Sequence, residues 1–570
     1  MKKSRFQVFG IIVLLLLLNT GCTEKTEAGT GKLDSEKENI STETGKETAH
    51  EQNPAYDGKA IVFSEKEVFV TNRRFFSEDI LIEIVCPENA KVYYTTDGSE
   101  PTTNAKEYTK SIELKAAKGS FPNCLLLKAI AYYADGTKSE VVTHTFFAHK
   151  DIETRFETLV FSVSGEPKEL TGKPNGIFYD ENVHERGRES EREIYVEAMD
   201  ARGVLLFEQG AGVRPYGGAS RDASIKSMKL FARKEYDAEH GKFEISAFQT
   251  IGANGEIMDK YDKLVLRNYG NDFQFAFVRD ELNQRLAAKA GYTDSEAVLP
   301  VVVYLNGEYY GLHYLHENFC NDFFKDKYGD GEGHYEVLEG NEQYKKVDED
   351  DEENAAAAEE FNNTYHKLAY SDLTKEDNYK QLCAFMDVDN YLQFYAYNIY
   401  INNNDWPQNN YKCYRYYAGE GESYKEGAQD GRWRFLFHDM DYSMGLYGQK
   451  ETDASYNNLA NIFDKRDESY SPLFVNLMKR EDCKRYFLSE IERLMEGVLS
   501  AENVSRTLDE MNAERQQEMV YFFEHLESMK ETDDSIWIWY EEYQKRTENV
   551  KKFAEKRKDY IQKFLKKELR

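Results

Sequence analysis

The stretch from Val388 to Asp441 constrains this 570-residue chain more than any other. Apolar side chains recur at helical spacing from Val388 to Ile401. They are followed by Asn404-Asp405-Trp406-Pro407-Gln408-Asn409-Asn410 and the strand-like run Tyr411 to Tyr417. A polar, Gly-rich stretch over 418–432 then reads as a hairpin tip, and Trp433 to Phe437 returns as an apolar strand ending in His438-Asp439-Met440-Asp441. Helix, loop and hairpin in this order predict an α+β domain. Asp405 and Asn410 fall on the loop, and Asp439 and Asp441 at the end of the returning strand.

Such a set has a chemistry. Phosphoryl transfer from a nucleotide needs one acidic group to orient, or take the proton from, the attacking hydroxyl. It also needs a carboxylate and a carboxamide to hold Mg²⁺ against the phosphates. The Asp-x₄-Asn spacing is that of a protein-kinase catalytic loop, and a hairpin leading to a metal-binding Asp is the kinase order. Asp/Asn loops are ordinary turn composition, and Asp-x-Asp also suits a Ca²⁺ loop or a plain turn. The ordered combination carries the inference. His438 is expected to pack rather than act as an acid or base.

Four blocks, in order, resemble the spore coat protein H (CotH) family of atypical kinases. They are Gly217-Gly218-Ala219-Ser220-Arg221 with Lys226-Ser-Met-Lys229-Leu; Leu266-Arg267-Asn268 with Arg279-Asp280; Val303-Tyr-Leu-Asn306-Gly307-Glu-Tyr-Tyr-Gly311-Leu with Glu317; and the Asp405/Asn410 and Asp439/Asp441 segments. The family's Asn-Ser-Ser loop reads Gly-Ala-Ser here, and His438 replaces an aromatic residue. The resemblance implies a divergent two-lobed kinase-like fold that phosphorylates protein Ser/Thr with ATP and Mg²⁺ or Mn²⁺. Asp405 would be the catalytic base, Asn410 a metal or phosphate-side partner, and Ser220 part of the phosphate loop. Asp439 would hold the metal, with Asp441 assisting or replacing it. Lys226 and Lys229 compete to pair with the phosphates; their odd spacing sends them to opposite faces of a strand, and Lys229 shares a face with Ser227 and Phe231. Glu281 is a candidate partner for that lysine.

The N-terminus reads as an export signal. Lys2, Lys3 and Arg5 precede the apolar run Val8 to Leu18, then Asn19-Thr20-Gly21-Cys22, an apolar core too short for a mature membrane span. Gly21-Cys22 resembles a bacterial lipobox, with Asn19 as its departure. It implies residues 1–22 as a lipoprotein signal, Cys22 as the lipidated residue, and anchorage on the extracytoplasmic face of the membrane. Residues 23–58, poor in large apolar side chains, predict a disordered tether.

Residues 59–150 alternate in short runs with turns between them, which predicts a small β-sandwich. Val92-Tyr-Tyr-Thr-Thr-Asp-Gly-Ser-Glu-Pro-Thr and Lys128-Ala-Ile-Ala resemble the chitobiase/β-hexosaminidase C-terminal domain. A spacer role is expected for it, with carbohydrate contact through Tyr93 or Tyr94 as the lesser alternative. Cys86 and Cys124 are the only pair to consider for a disulfide, free thiols being the expectation, and no cysteine spacing fits zinc. The kinase-like domain is expected over 154–570, with Asp348 to Glu353 and Ala355 to Ala358 as a solvated loop. An amphipathic helical extension from about 471 should pack on it, with Trp537 and Trp539 in core or interface.

A net charge of −30 excludes nucleic acid as the main partner, while leaving room for a local basic pocket. Two readings stand: a surface kinase acting on secreted or envelope Ser/Thr-containing proteins, or a non-catalytic envelope scaffold. A glycoside hydrolase is the weakest, since no carboxylate pair outside the kinase-like set suggests one.

Overall fold

The computed structural model describes residues 59–64, 68–347 and 355–569. The export segment with Cys22, the tether over 23–58 and the acidic run Asp348 to Glu353 lie outside the described residues.

The first module is a sandwich of a 4-stranded and a 5-stranded sheet. Alternation along Ile80–Val85 turns Ile80, Ile82 and Ile84 into its core and leaves Leu81 and Glu83 exposed. Tyr94 lies in that core, which removes it as a carbohydrate contact, while Tyr93 stays half-buried against Tyr132. Cys86 and Cys124 are free thiols.

A closed barrel follows, made of β1 (Leu159–Ser164), β2 (Arg192–Met199), β3 (Leu205–Tyr216), β4 (Ser227–Phe231), β5 (Lys263–Arg267), β6 (Val298–Leu305) and β7 (Glu308–His316). The order around it is β1-β2-β3-β4-β5-β7-β6, closed by parallel pairing of β1 with β6. Its packing explains the unbroken apolar run in β6. Val301, Val303 and Leu305 fill the barrel, while Val302 and Tyr304 face outward onto Phe147 of the sandwich and Phe522 of the C-terminal helices. A strand covered on both faces has no polar side to alternate with.

The sandwich is therefore docked on the barrel rather than held away as a spacer. Arg74 reaches Glu197 of β2 at 3.1 Å and Glu208 of β3 at 2.8 Å. At Asp97-Gly98 the glycine has φ 91°, and a Cβ there would lie 2.4 Å from Asn306 Oδ1 on the β6–β7 turn. Only glycine allows that approach.

Helix α1 (Arg279–Lys289) leaves the barrel after β5, and α2 (Asn321–Tyr328) follows β7. A 4-stranded sheet comes next, with β8 (His334–Gly340), β9 (Lys345–Val347), β10 (Lys412–Tyr417) and β11 (Arg434–Leu436) in the order β9-β8-β10-β11. Ala355–Ala369 forms helix α3 with Ala357 and Ala358 buried, not the loop expected for the alanine run; small residues let it pack closely. Helix α4 (Val388–Ile401) matches the expected periodicity. The tail holds α5 (Glu481–Glu496), α6 (Ala501–Ala513), α7 (Gln516–Met529) and α8 (Tyr540–Glu568).

The tail does more than cover one domain. Glu518 of α7 meets Arg155 at 3.1 Å, both side chains fully buried, at the junction of sandwich and barrel. Arg557 of α8, also fully buried, donates to Ile399 O and Tyr400 O at 2.8 Å, at the C-terminal end of α4. Carbonyls in the last turn of a helix lack the usual i+4 partner, and Ile399 O otherwise has the Asn402 N–H at 3.3 Å and Asn458 Nδ2 at 3.1 Å. Trp537 and Trp539, expected in core or interface, are 42% and 53% exposed and so lie outside the core. Trp537 lies edge-on to Phe275, and Trp539 carries the Lys530 ammonium at 3.2 Å from its ring centre.

Candidate active site

The loop after α4 is anchored before it is functional. Asn402 closes the helix in the left-handed region (φ 55°), where Asn is tolerated best after Gly. Trp406 is buried against Phe394, Tyr395 and Tyr411. Asp405, next to that anchor, faces a cavity of about 700 Å³.

Asp405, Asn410, Asp439, Asp441 and Ser220 all line this cavity. The carboxamide nitrogens of Asn409 and Asn410 each donate to Asp405 at 2.8 Å. Burial and the charge of Asp439 push the Asp405 carboxyl above its ordinary range despite those bonds. Asn410 and Asp439 are both left-handed, at φ 53° and 48°, a conformation that short polar side chains accept more readily than others.

Arg267, at the end of β5, organises the acidic side. Its guanidinium bonds Asp280 of α1 and Asp439, and meets Asp441 at 2.9 Å. Asp441 is fully buried and also accepts from Asn271 N at 2.8 Å and Asn271 Nδ2 at 3.0 Å, whereas the Asp439 side chain keeps 27% exposure. Sequence alone leaves these two aspartates equivalent. The fold gives Asp441 a structural set of partners and leaves Asp439 toward the cleft. Burial acts to raise both carboxyls. At Asp439 the Arg267 and His438 charges outweigh it and hold the group low, while at Asp441 the neighbouring Asp439 adds to burial and drives it well up. Gly270 makes room for this knot: at φ 58°, a Cβ there would sit 2.1 Å from Asp441 Oδ2.

A contiguous inner chamber of about 210 Å³ opens toward the barrel. Lys229 of β4 lines it; Lys226 does not, and pairs instead with Asp180 at 2.9 Å. Glu281 is no partner for either lysine, because α1 turns it onto Arg515 and Arg285. Ser220 borders both chambers, and its carbonyl accepts from Asn268 Nδ2 at 3.2 Å. Arg221 staples the same loop to Gly217 O at 2.6 Å and Val183 O at 2.9 Å.

Sequence reasoning missed three contributors. Lys412, buried on β10, lines both chambers two residues after Asn410; its nearness to that motif was the available signal. Lys346 also borders both, paired with Glu339 at 3.0 Å. His438 lines the cleft instead of simply packing, with Nδ1 3.0 Å from Glu296, which His316 meets at 3.3 Å from the other side. Burial would lower His438, but Glu296 raises it. Nothing in the local sequence links these three.

Among the described residues, no group of three or more His, Cys, Asp or Glu is placed to hold a metal ion by itself. Asp439 and the carboxamide oxygen of Asn410 offer oxygen donors only. That sparse, hard set fits Mg²⁺ or Mn²⁺, which take one or two protein oxygens and complete their shell with water and phosphate.

Comparison with known families matches residues 213–561 to the family described as CotH kinase protein. Residues 82–146 match the family described as Fn3 associated, within the segment that resembles the chitobiase C-terminal domain. No curated protein matches the chain.

Proposed function

The chain belongs to the CotH kinase protein family, and from that premise we propose that it is an atypical protein Ser/Thr kinase using ATP with Mg²⁺ or Mn²⁺. One observation carries the reading: Asp405, Asn410 and Asp439 line the same cavity as the cations Arg267 and Lys412, in a protein of net charge −30. Basic side chains gathered in an acidic chain favour a polyanionic ligand.

Asp439, held in orientation by Arg267, and the carboxamide oxygen of Asn410 would hold the divalent ion. When bound, that ion offsets charge building on the phosphates. Lys229 and Lys412 would take phosphate charge from the inner side. Asp405, kept in place by Asn409 and Asn410, would accept the proton of the Ser or Thr hydroxyl as its oxygen bonds to the γ-phosphorus and the bond to the β–γ bridging oxygen breaks. A raised carboxyl pKa suits a base better than an ordinary one. The N-terminal pattern supports an exported, Cys22-lipidated protein acting on secreted or envelope proteins, with the sandwich offering Tyr93 as the ring left for carbohydrate contact.

A second reading has one observation in its favour: Arg267 already pairs with Asp439 and Asp441, as suits a cleft kept for non-catalytic binding at the envelope. Phosphate incorporation from ATP by the purified chain, on itself or a basic acceptor protein, separates the two. Labelling lost in Asp439→Ala supports the kinase. Equal labelling by the variant and the wild type ends that reading.

A further inference from the structure

Helix α8 buries Tyr543, Thr547, Val550 and Ala554 along one face, the spacing of an amphipathic helix. Thr547 is the small polar member of that stretch. A threonine inside a helix often returns its hydroxyl to a carbonyl one turn back. Thr547 is only 5% exposed, yet its Oγ1 is buried with no hydrogen-bond partner. The Tyr543 phenol lies near it outside hydrogen-bond geometry, and donates to Asn512 Oδ1 at 3.2 Å.

Thr547 lines a cavity of about 320 Å³ between α6, α7 and α8. The walls of this cavity are fixed. In the turn from α6 to α7, Arg515 meets Glu281 at 2.5 Å and Glu514 meets Arg285 at 2.6 Å, both on α1. Arg557 ties α8 to the end of α4. Buried polar atoms are nearly always matched, and an exception in the wall of a fixed cavity points to a ligand that completes it.

The lining narrows the chemistry of that ligand. Met519 and Tyr543 are buried and the Tyr540 ring is half-buried, which gives the cavity an apolar face. Asn512, Gln516 and Gln544 add three carboxamides, each able to donate and to accept. Of the charged groups, Lys551 is held by Asp509 at 2.5 Å, which leaves Glu548 as the spare charge. An anion would be repelled here, and one carboxylate at an exposed rim is too little for a bare divalent ion. The fit is to a neutral molecule with one apolar face and an edge of groups that both donate and accept. A pyranose ring with its hydroxyls has that form.

We propose that this cavity is a binding site for a neutral saccharide, with a pyranose unit lying against Tyr540 and Met519 and its hydroxyls turned to Thr547 and the carboxamides. The site is independent of the kinase reading and needs no nucleotide.

Calorimetric titration of the full chain checks it, with the tetramers of glucose and of N-acetylglucosamine, tetragalacturonate and tetra-alanine as probes. Wild type should bind at least one neutral sugar tetramer, and bind the uronate and the peptide more weakly. Thr547→Val keeps the shape and removes the hydroxyl, and should weaken sugar binding by about three- to tenfold. Gln544→Ala, a change at the exposed rim, should do the same, while Tyr93→Ala on the sandwich should change nothing. The proposal is overturned if neither sugar tetramer binds, if tetra-alanine binds more tightly, or if Thr547→Val and Gln544→Ala both bind as wild type does. Sugar binding lost in Tyr93→Ala overturns it as well, by placing the contact on the sandwich. Should Thr547→Val not fold, Gln544→Ala against Tyr93→Ala decides the matter alone.

Discussion

The carboxamide nitrogen of Asn410 donates to Asp405 at 2.8 Å, so the two ends of the Asp-x₄-Asn segment are bonded across the loop that separates them. Asp405→Asn would keep the shape of this contact and remove the proton acceptor. Turnover should fall by about 10²-fold or more, with ATP affinity within about twofold of wild type. Asn410→Ala should reduce both, because it frees Asp405 and removes an oxygen that the metal would use. Initial rates across an ATP titration separate the two patterns.

The two lysines make a paired prediction. Lys229→Met should weaken nucleotide binding by about tenfold or more, the loss of one charge-assisted contact. Lys226→Met should leave it unchanged, since Lys226 holds Asp180 and stays outside both chambers. A nucleotide-dependent rise in melting temperature reports each, and equal responses would remove the distinction.

Acid should loosen the seam between sandwich, barrel and tail. His525 of α7 lies against Tyr309 of the barrel and Phe121 of the sandwich, and burial lowers it from 6.5 to about 4. Being lowered, it costs nothing above about pH 6.5, where it is neutral folded or unfolded. As pH falls toward 4 the unfolded chain takes up the proton first, and stability drops by at most about 3 kcal/mol. His525→Phe should remove that share, seen as a smaller difference between urea midpoints at pH 7 and pH 4.5.

Arg557 offers a test far from the cleft. Besides the end of α4 it donates to Ala454 O and Tyr456 O at 2.8 Å and to Asn458 at 2.9 Å. Arg557→Met would leave several buried carbonyls unmatched, costing about 3 kcal/mol or more. Because α4 leads directly into Asp405, turnover should fall while the mutant remains folded at low temperature. Denaturation curves and rates on one preparation check both.

Local pattern made some of this legible and distance hid the rest. The α4 periodicity, the returning hairpin and the sandwich alternation depend on neighbours in sequence, and they appear where expected. Arg267 with Asp439, Arg557 with Ile399, and Lys412 beside Lys229 depend on topology, for which one chain's periodicity carries no record. Lys226 and Lys229 show the boundary: strand geometry foretells opposite faces, but not which face meets a cavity. The alanine run at 355–358 misled because small residues suit a loop and a close-packed helix equally well.

The barrel has a practical consequence for anyone trimming the gene. The match to the kinase family starts at residue 213, inside β3, so a fragment cut there keeps Asp405 and Asp439 yet lacks β1, β2 and most of β3. With those staves missing, β4 and β6 would become open edges and Val301, Val303 and Leu230 would meet water, inviting aggregation. A catalytic fragment should therefore begin before Leu159, and before Arg74 if Glu197 is to keep its counter-charge.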